Sequence, residues 1–353
     1  MNVFFESIQQ LGASSADIIW FPLLIWTTVA SIIFFILRLR PSLNPLFQYH
    51  IRVATLLALP LGLCSALFIQ VLSSIETSTS ALSSALFVIE NPLPAISVSL
   101  ADATSNSINW FNINFLIGLF SSLMGVVAVI MVVRLIISYT QLKKLHKNLS
   151  IEPLDNTAFN YGLKNGSVYV AFHDHPLVPF TFGWKHPIIV LPDSIKNNPQ
   201  KLDMAIQHEL VHIRRSDYLL QLVISIIQSL FWFHPLIYIG TKEIETFREI
   251  SCDQEVLNTS DIHPKNYANL LLELIPLGKS YDCFTVSMAV KQSTLKQRIE
   301  TMKHHKIHKT SYKRSLLLLL SITILIVAPI ACSDLRGPNT LSCLLYTSDA
   351  ADE

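Results

Sequence analysis

Apolar positions in this chain run in long unbroken stretches and seldom alternate with polar ones. Four stretches, Ile18–Leu37, Val53–Leu72, Phe115–Val133 and about Ser315–Ala331, are long and apolar enough to cross a bilayer as helices. The first reads as an anchor and not a cleaved leader, because residues 1–16 carry no Lys or Arg and the stretch has full spanning length. Charged residues make up only 14% of the chain and mean hydropathy is +0.44, which excludes an ordinary soluble protein of this size.

Basic residues orient the spans. Arg38, Arg40 and Arg52 lie between the first two, and Arg134, Lys143, Lys144 and Lys147 follow the third. Lys303, Lys306, Lys309, Lys313 and Arg314 precede the last, whereas the loop from Ser73 to Trp110 has no Lys or Arg. With the N-terminus outside and four spans, every basic cluster falls on the cytoplasmic side, and so do residues 138–314. A further apolar run, Tyr218–Gly240, breaks in its middle at Phe231-Trp232-Phe233-His234-Pro235. As a simple fifth span it would carry the strongest basic cluster outside. It is therefore expected to be a helical hairpin that dips into the bilayer and returns, with its turn buried against other helices.

The chemistry lies in this cytoplasmic region. Ser167–Phe172, Phe180–Phe182 and Ile188–Leu191 are short, β-branched or aromatic, and bounded by Gly and Pro, so they read as strands. An edge strand of such a sheet can bind an extended peptide backbone, although the sheet can equally just support the next helix. Asn198-Pro199 offers a helix start. That helix carries His208-Glu209-Leu210-Val211-His212. Residues four apart share a helical face, so both imidazoles can converge on one metal ion with Glu209 beside the open coordination position. Chance produces such a string in roughly one or two chains per hundred, so its neighbours must support it.

The hairpin supplies a test. From His212 to the turn takes about 20 residues, roughly 30 Å of helix, and an equal return brings the chain back near residues 249–255. Glu249 is the natural third ligand there, and Asp253, one turn later, can accept a hydrogen bond from a ligand histidine. Glu245 and Glu255 compete as solvated helix charges. Arg248, next to Glu249, is a candidate for transition-state or substrate contact or a plain surface arginine.

HELVHIRRSD, WFHPL and FREISCD, in this order and spacing, resemble the BlaR/MecR-type membrane metallopeptidases, which are gluzincins. Val178–Trp184, Pro187–Pro192 and Leu295-Lys296-Gln297-Arg298-Ile299 also resemble that family, and the likeness covers about residues 15–332. It implies that His208, His212 and Glu249 hold Zn2+ and that Glu209 is the general base. His234 stands where the family usually has Asn, a swap expected to be structural.

Other features carry less. Asp217 is expected to pair with Arg214 within its helix, or else to order the zinc helix. Ser293-Thr294-Leu295-Lys296 matches SxxK but lacks SDN or KTG companions, so coincidence is the simpler account. The His-rich run Lys303–Arg314 reads as topogenic charge. The five cysteines form no disulfide framework: Cys64 lies inside a span, Cys252 and Cys283 face the cytoplasm, and Cys332 sits at the outer end of the last span.

The expected fold is mainly α: a multi-pass helical membrane protein with a cytoplasmic gluzincin-like zinc peptidase domain that contains a small β-sheet and a re-entrant helical hairpin. Residues 1–137 would hold three spans and the outer loop 73–110. Residues 138–314 would form the peptidase domain with the hairpin at 218–240, followed by the fourth span at 315–332. Residues 333–353 read as a truncated outer tail. Of these, 343–353 match translated sequencing adapter, because a transposon mosaic-end sequence encodes them in order. Relatives usually continue there into an extracytoplasmic sensor domain.

The expected function is a zinc metalloendopeptidase of the bacterial inner or plasma membrane. By the resemblance, an outside signal switches on cleavage of a cytoplasmic transcriptional repressor, of the protein itself, or both. The alternatives are a non-catalytic transducer with structural zinc and a housekeeping membrane protease without a sensor. Expected partners are a peptide or protein substrate and the lipid bilayer, with no direct contact to nucleic acid. Long apolar helices allow a homodimer without demanding one.

Overall fold

The computed structural model describes residues 2–90, 112–154, 168–174, 178–260, 262–274, 286–287 and 292–303. Helix α1 (Asn2–Ser15) continues through a π-helical turn at Ala16–Trp20 into α2 (Phe21–Leu39). Pro22 explains the widened turn, since it has no N–H to give the carbonyl four residues back and its ring crowds that carbonyl. Helix α3 spans Pro45–Glu90 and α4 spans Ile113–Asn148.

Among the described residues, three runs, Phe4–Leu39, Pro45–Ser65 and Ile113–Lys144, are long and apolar enough to cross a membrane. Leu119, Leu123, Val126 and Ile130 of α4 are exposed, an outer surface that suits lipid and not water. Helix α3 starts well before the expected Val53, which places Arg52 inside a helix instead of in a loop. The expected span at 315–331 lies outside the described residues.

Two compact units emerge. The first comprises residues 1–39, 54–124 and 319–353. In it Trp26 is fully buried and donates from Nε1 to the Thr55 carbonyl at 2.8 Å. Trp20 Nε1 donates to Ser121 Oγ at 3.0 Å, and Phe5 stacks on Phe115 at 4.5 Å. Gly118 lets α4 approach α1 closely, because a Cβ there would collide with the Ile8 carbonyl oxygen. Small residues serve this purpose in membrane helices, where close packing replaces the hydrophobic effect. The obstacle is backbone, so Gly118→Leu should cost at least about 1–3 kcal/mol. Thermal unfolding in detergent would show it, and an unchanged midpoint would mean that the α1–α4 contact is not formed.

The second unit comprises residues 40–53 and 125–318. Its five-stranded sheet has the order β1-β2-β4-β3-β5. The strands are β1 (Ile151–Pro153), β2 (Tyr169–His173), β3 (Phe180–Phe182), β4 (Ile188–Pro192) and β5 (Val286–Ser287). β2 pairs with β4 in parallel, and the other pairs are antiparallel. β1 and β5 were not among the expected strands, being too short to show a period.

Every residue of β4 is buried, which explains its unbroken apolar run. Ile189 and Leu191 pack with Met204, Ala205, Leu210 and Val211, whereas Ile188 and Val190 pack with Phe180, Phe182 and Leu142. The sheet thus acts as a wall between two apolar clusters, and the helix after β4 is laid against it.

That helix, α5 (Pro199–Arg215), starts where Asn198 accepts from the Lys201 N–H at 3.1 Å, with Pro199 in the first turn. It ends at Ser216, whose left-handed backbone (φ 56°, ψ 37°) is a position usually given to glycine. Helix α6 (Asp217–Leu230) follows, a turn at Phe231–Phe233 reverses the chain, and α7 (Pro235–Thr259) begins after His234. Helices α8 (Pro264–Leu274) and α9 (Gln292–Lys303) follow among the described residues.

Candidate metal centre

The sheet-facing side of α5 is where an amphipathic helix should bury leucine and valine, yet it also buries His208, Glu209 and His212 almost completely. Buried ionisable groups are costly unless they are paired or coordinate a metal. Helix α7 brings Glu249 beside them. One donor atom from each of His208, His212 and Glu249 lies within 4.8 Å of the other two. The two Nε2 atoms are 3.2 Å apart, and Glu249 carboxylate oxygens sit 3.3 Å from the first and 3.7 Å from the second.

The other ring nitrogens are already engaged. His212 Nδ1 bonds Asp217 Oδ2 at 2.7 Å. His208 Nδ1 lies 2.6 Å from Tyr267 Oη, and Tyr267 donates to Asp253 Oδ1 at 2.9 Å. Asp253 is 3.4 Å from the same ring nitrogen, so the shorter route to it passes through the tyrosine hydroxyl. Both histidines therefore turn Nε2 inward, the orientation that outer hydrogen bonds impose on metal-ligating imidazoles.

The donor set suits a cation. Both carboxylate oxygens of Glu249 are buried without a hydrogen-bond partner. Burial opposes the Glu249 charge, but His212, His208 and Arg298 hold its carboxyl well below the usual range. Burial also opposes charge on His208, yet the nearby Asp253 and Glu249 carboxylates prevail and raise it to about 9. His212 is lowered, chiefly by burial. Two inward-facing Nε2 atoms beside a charged carboxylate are a setting that suits a metal ion. Nitrogen and carboxylate donors, three in number, are the donor set of open zinc sites.

Glu209 points elsewhere. Its Oε2 accepts from Thr181 Oγ1 of β3, while Oε1 is buried without a partner. Burial lifts its carboxyl up to about 7, with His208 and Thr181 acting against the rise. A cleft lined by Thr181, Gly183, Trp184, Pro187, His212 and Tyr218 opens onto this corner. On its side away from β4, β3 pairs with β5, placing Thr181 opposite Val286.

The remaining expected residues are also placed. Arg248 is buried, its guanidinium donates to Gln221 Oε1 at 2.8 Å, and Nε lies 3.5 Å from Glu249 Oε1. It ties α7 to α6 and is not a surface arginine. Asp217 does not pair with Arg214, which reaches Glu255 at 4.0 Å instead. The left-handed turn at Ser216 swings Asp217 back onto His212. A second group, His212, Asp217 and Cys252, shares that histidine.

Three participants were missed. Thr181 lies in a strand that the sequence suggests, but nothing there points to Glu209. Tyr267 carries no local signal. Arg298 sits in a segment quoted for its family likeness alone; it is fully buried and clasps Asp253 with contacts of 2.7 and 2.6 Å.

Long apolar helices and a buried His-His-Glu cluster able to hold a metal ion together define the class, a membrane-associated protein with a candidate metal centre. Comparison with known proteins names the class further. Residues 20–302 match the family described as BlaR1 peptidase M56, and the chain belongs to that family. It is similar to the regulatory protein BlaR1 of Bacillus licheniformis, 30% identical over 179 residues, covering 46% of this chain and 29% of that protein. It is also similar to the methicillin resistance mecR1 protein of Staphylococcus aureus, 30% identical over 87 residues, covering 24% of this chain and 15% of that protein. The chain thus matches less than a third of either relative's length.

Proposed function

We propose that this chain is a zinc-dependent membrane peptidase that transmits an extracytoplasmic signal by cleaving a protein on the cytoplasmic side. The observation that carries the reading is the convergence of His208 Nε2, His212 Nε2 and Glu249 at one buried point, with both Nδ1 atoms already engaged. His208, His212 and Glu249 would hold one zinc ion, which when bound supplies Lewis acidity toward a water and a peptide carbonyl. Glu209 takes a proton from the attacking water and passes it to the departing amine. Thr181 keeps one Glu209 oxygen occupied, so Oε1 is the oxygen free to act. Asp217 and the Tyr267–Asp253–Arg298 chain hold the two imidazoles in orientation.

The division into spans, peptidase domain 138–314 and membrane-dipping hairpin 218–240 belongs to the same proposal. Exposed Val223, Ile226, Leu230, Tyr238 and Ile239 cluster on either side of the hairpin turn, which supports its immersion in lipid. The basic loops favour a cytoplasmic site. For the substrate, β5 gives one support: a short extended segment of this same chain lies along β3 beside Thr181. That arrangement favours self-cleavage, with a cytoplasmic repressor as the second substrate.

Removing the metal tests the reading. The purified full chain should carry about one zinc, and a strong chelator should abolish peptide cleavage until zinc is restored. Glu249→Ala should weaken zinc binding by at least about a hundredfold, since loss of a direct ligand should exceed the tenfold to hundredfold effect of an outer partner. Metal binding unchanged in Glu249→Ala would remove α7 from the site and with it the proposed mechanism.

A further inference from the structure

The first two turns of α3 bear polar side chains that the membrane-crossing length does not need. Gln48, Tyr49 and Arg52 are all nearly fully buried. Arg52 donates to Glu243 Oε2 at 2.9 Å and lies 4.1 Å from the centre of the Phe247 ring, so it grips α7. Tyr49 faces the junction of α5 and α6. Its hydroxyl donates to Asp217 Oδ1 at 3.1 Å, and the other oxygen of that carboxylate is the one bonded to His212 Nδ1 at 2.7 Å. Arg215 covers the Tyr49 ring at 4.5 Å, lies 3.6 Å from Asp217 Oδ1 and donates to Ser251 Oγ at 2.8 Å on α7. The start of this long apolar helix therefore touches both elements that carry the His-His-Glu cluster, and it stands two hydrogen bonds from one imidazole.

We propose that Tyr49 is a positioning residue that makes the metal affinity of His212 depend on how α3 is seated. The inference rests on the reading of His212 as a metal ligand. The mechanism is mechanical. A helix rises about 1.5 Å per residue, so sliding or turning α3 by a single position breaks a 3.1 Å hydrogen bond. Asp217 is buried and then loses a neutral donor, leaving Arg215 and His212 to share it. The carboxylate shifts toward the guanidinium, and the imidazole loses its fixed orientation. Because α3 runs on continuously into the apolar stretch, a displacement of that helix has a physical path to the metal centre. Arg52 and Phe247 supply the grip that makes the displacement reach α7 as well.

The test is a double-mutant cycle on the full chain in detergent, read by zinc affinity in competition with a chromophoric chelator and by the visible spectrum of the cobalt-substituted protein. Tyr49→Phe keeps the ring under Arg215, so folding should survive. It should weaken zinc binding by about tenfold and shift the cobalt bands, the effect expected of an outer hydrogen-bond partner. Asp217→Asn should weaken binding at least as much. The deciding measurement is Tyr49→Phe in the Asp217→Asn background, where it should add less than about twofold. Equal loss in both backgrounds, or no loss in either, would overturn the relay while leaving the metal site intact. His212→Ala separates the two readings. If it binds zinc as the parent does, the metal assignment falls and the relay falls with it.

Discussion

Replacing Glu209 by alanine should leave the zinc content of the purified chain near that of the parent and lower peptide cleavage by about a hundredfold to ten-thousandfold. The side chain is not a member of the His-His-Glu cluster, so its loss removes the proton carrier and leaves the ligands in place. The variant also frees Thr181, a neutral hydroxyl that can be solvated through the adjoining cleft. Acidity supplies a second signature. Burial lifts the Glu209 carboxyl up to about 7, and a cation beside it draws it lower. Cleavage in the parent should therefore fall on the acid side with a midpoint below about 7, where the base takes up its proton, and any residual activity of Glu209→Ala should lack that limb. A variant that cuts as fast as the parent would leave the cluster as a structural pin and end the hydrolytic reading.

The largest stability effect is expected at Arg298. Its side chain is fully buried, forks onto Asp253 and brings Nη1 within 3.5 Å of Glu249 Oε2. Asp253 and Glu249 are both held in the charged form with its help. Arg298→Ala removes a buried charge partner shared by two carboxylates, a change that typically costs about 3–5 kcal/mol. Arg298→Lys keeps the charge but not the fork, so it should fall between variant and parent. Saturating zinc should recover part of the loss, because the ion returns positive charge beside Glu249 and binds only the folded chain. Denaturant unfolding of the metal-free and zinc-loaded forms measures both effects. A cost below about 1 kcal/mol would show that α9 does not close over the centre as described.

These two residues differ in how visible they were beforehand. The place of Glu209 was legible because its neighbours in space are neighbours in sequence: His208 and His212 share its helix turn, and helical periodicity alone puts both imidazoles on one face. Glu249 needed one more step, a count of helix rise out to a Pro-marked turn and back, and the structure brings it to the cluster. Strand β3 could be read to the residue because its aromatic and β-branched run is cut off by Gly183, whose φ of 95° few other residues adopt.

Arg298, Thr181, Tyr267 and Tyr49 left no such mark. Their partners lie 45, 28, 59 and 168 residues away respectively, and no local pattern spans such a distance. Asp217 is the instructive middle case. Sequence spacing offered Arg214 as its partner along a continuous helix, but the left-handed Ser216 breaks that helix and turns the carboxylate onto His212. Arg52 read as a topogenic charge, because a basic residue beside an apolar run looks the same whether lipid headgroups or Glu243 receives it.

What the sequence by itself determined was whatever depends on spacing along the chain: the apolar helices, the sheet-forming runs, the capped start of α5 and the His-Glu-His face it presents. Tertiary structure alone decided which distant side chains close around that face. A buried ionisable group must find its partner in three dimensions, and any element that packs close enough can supply it.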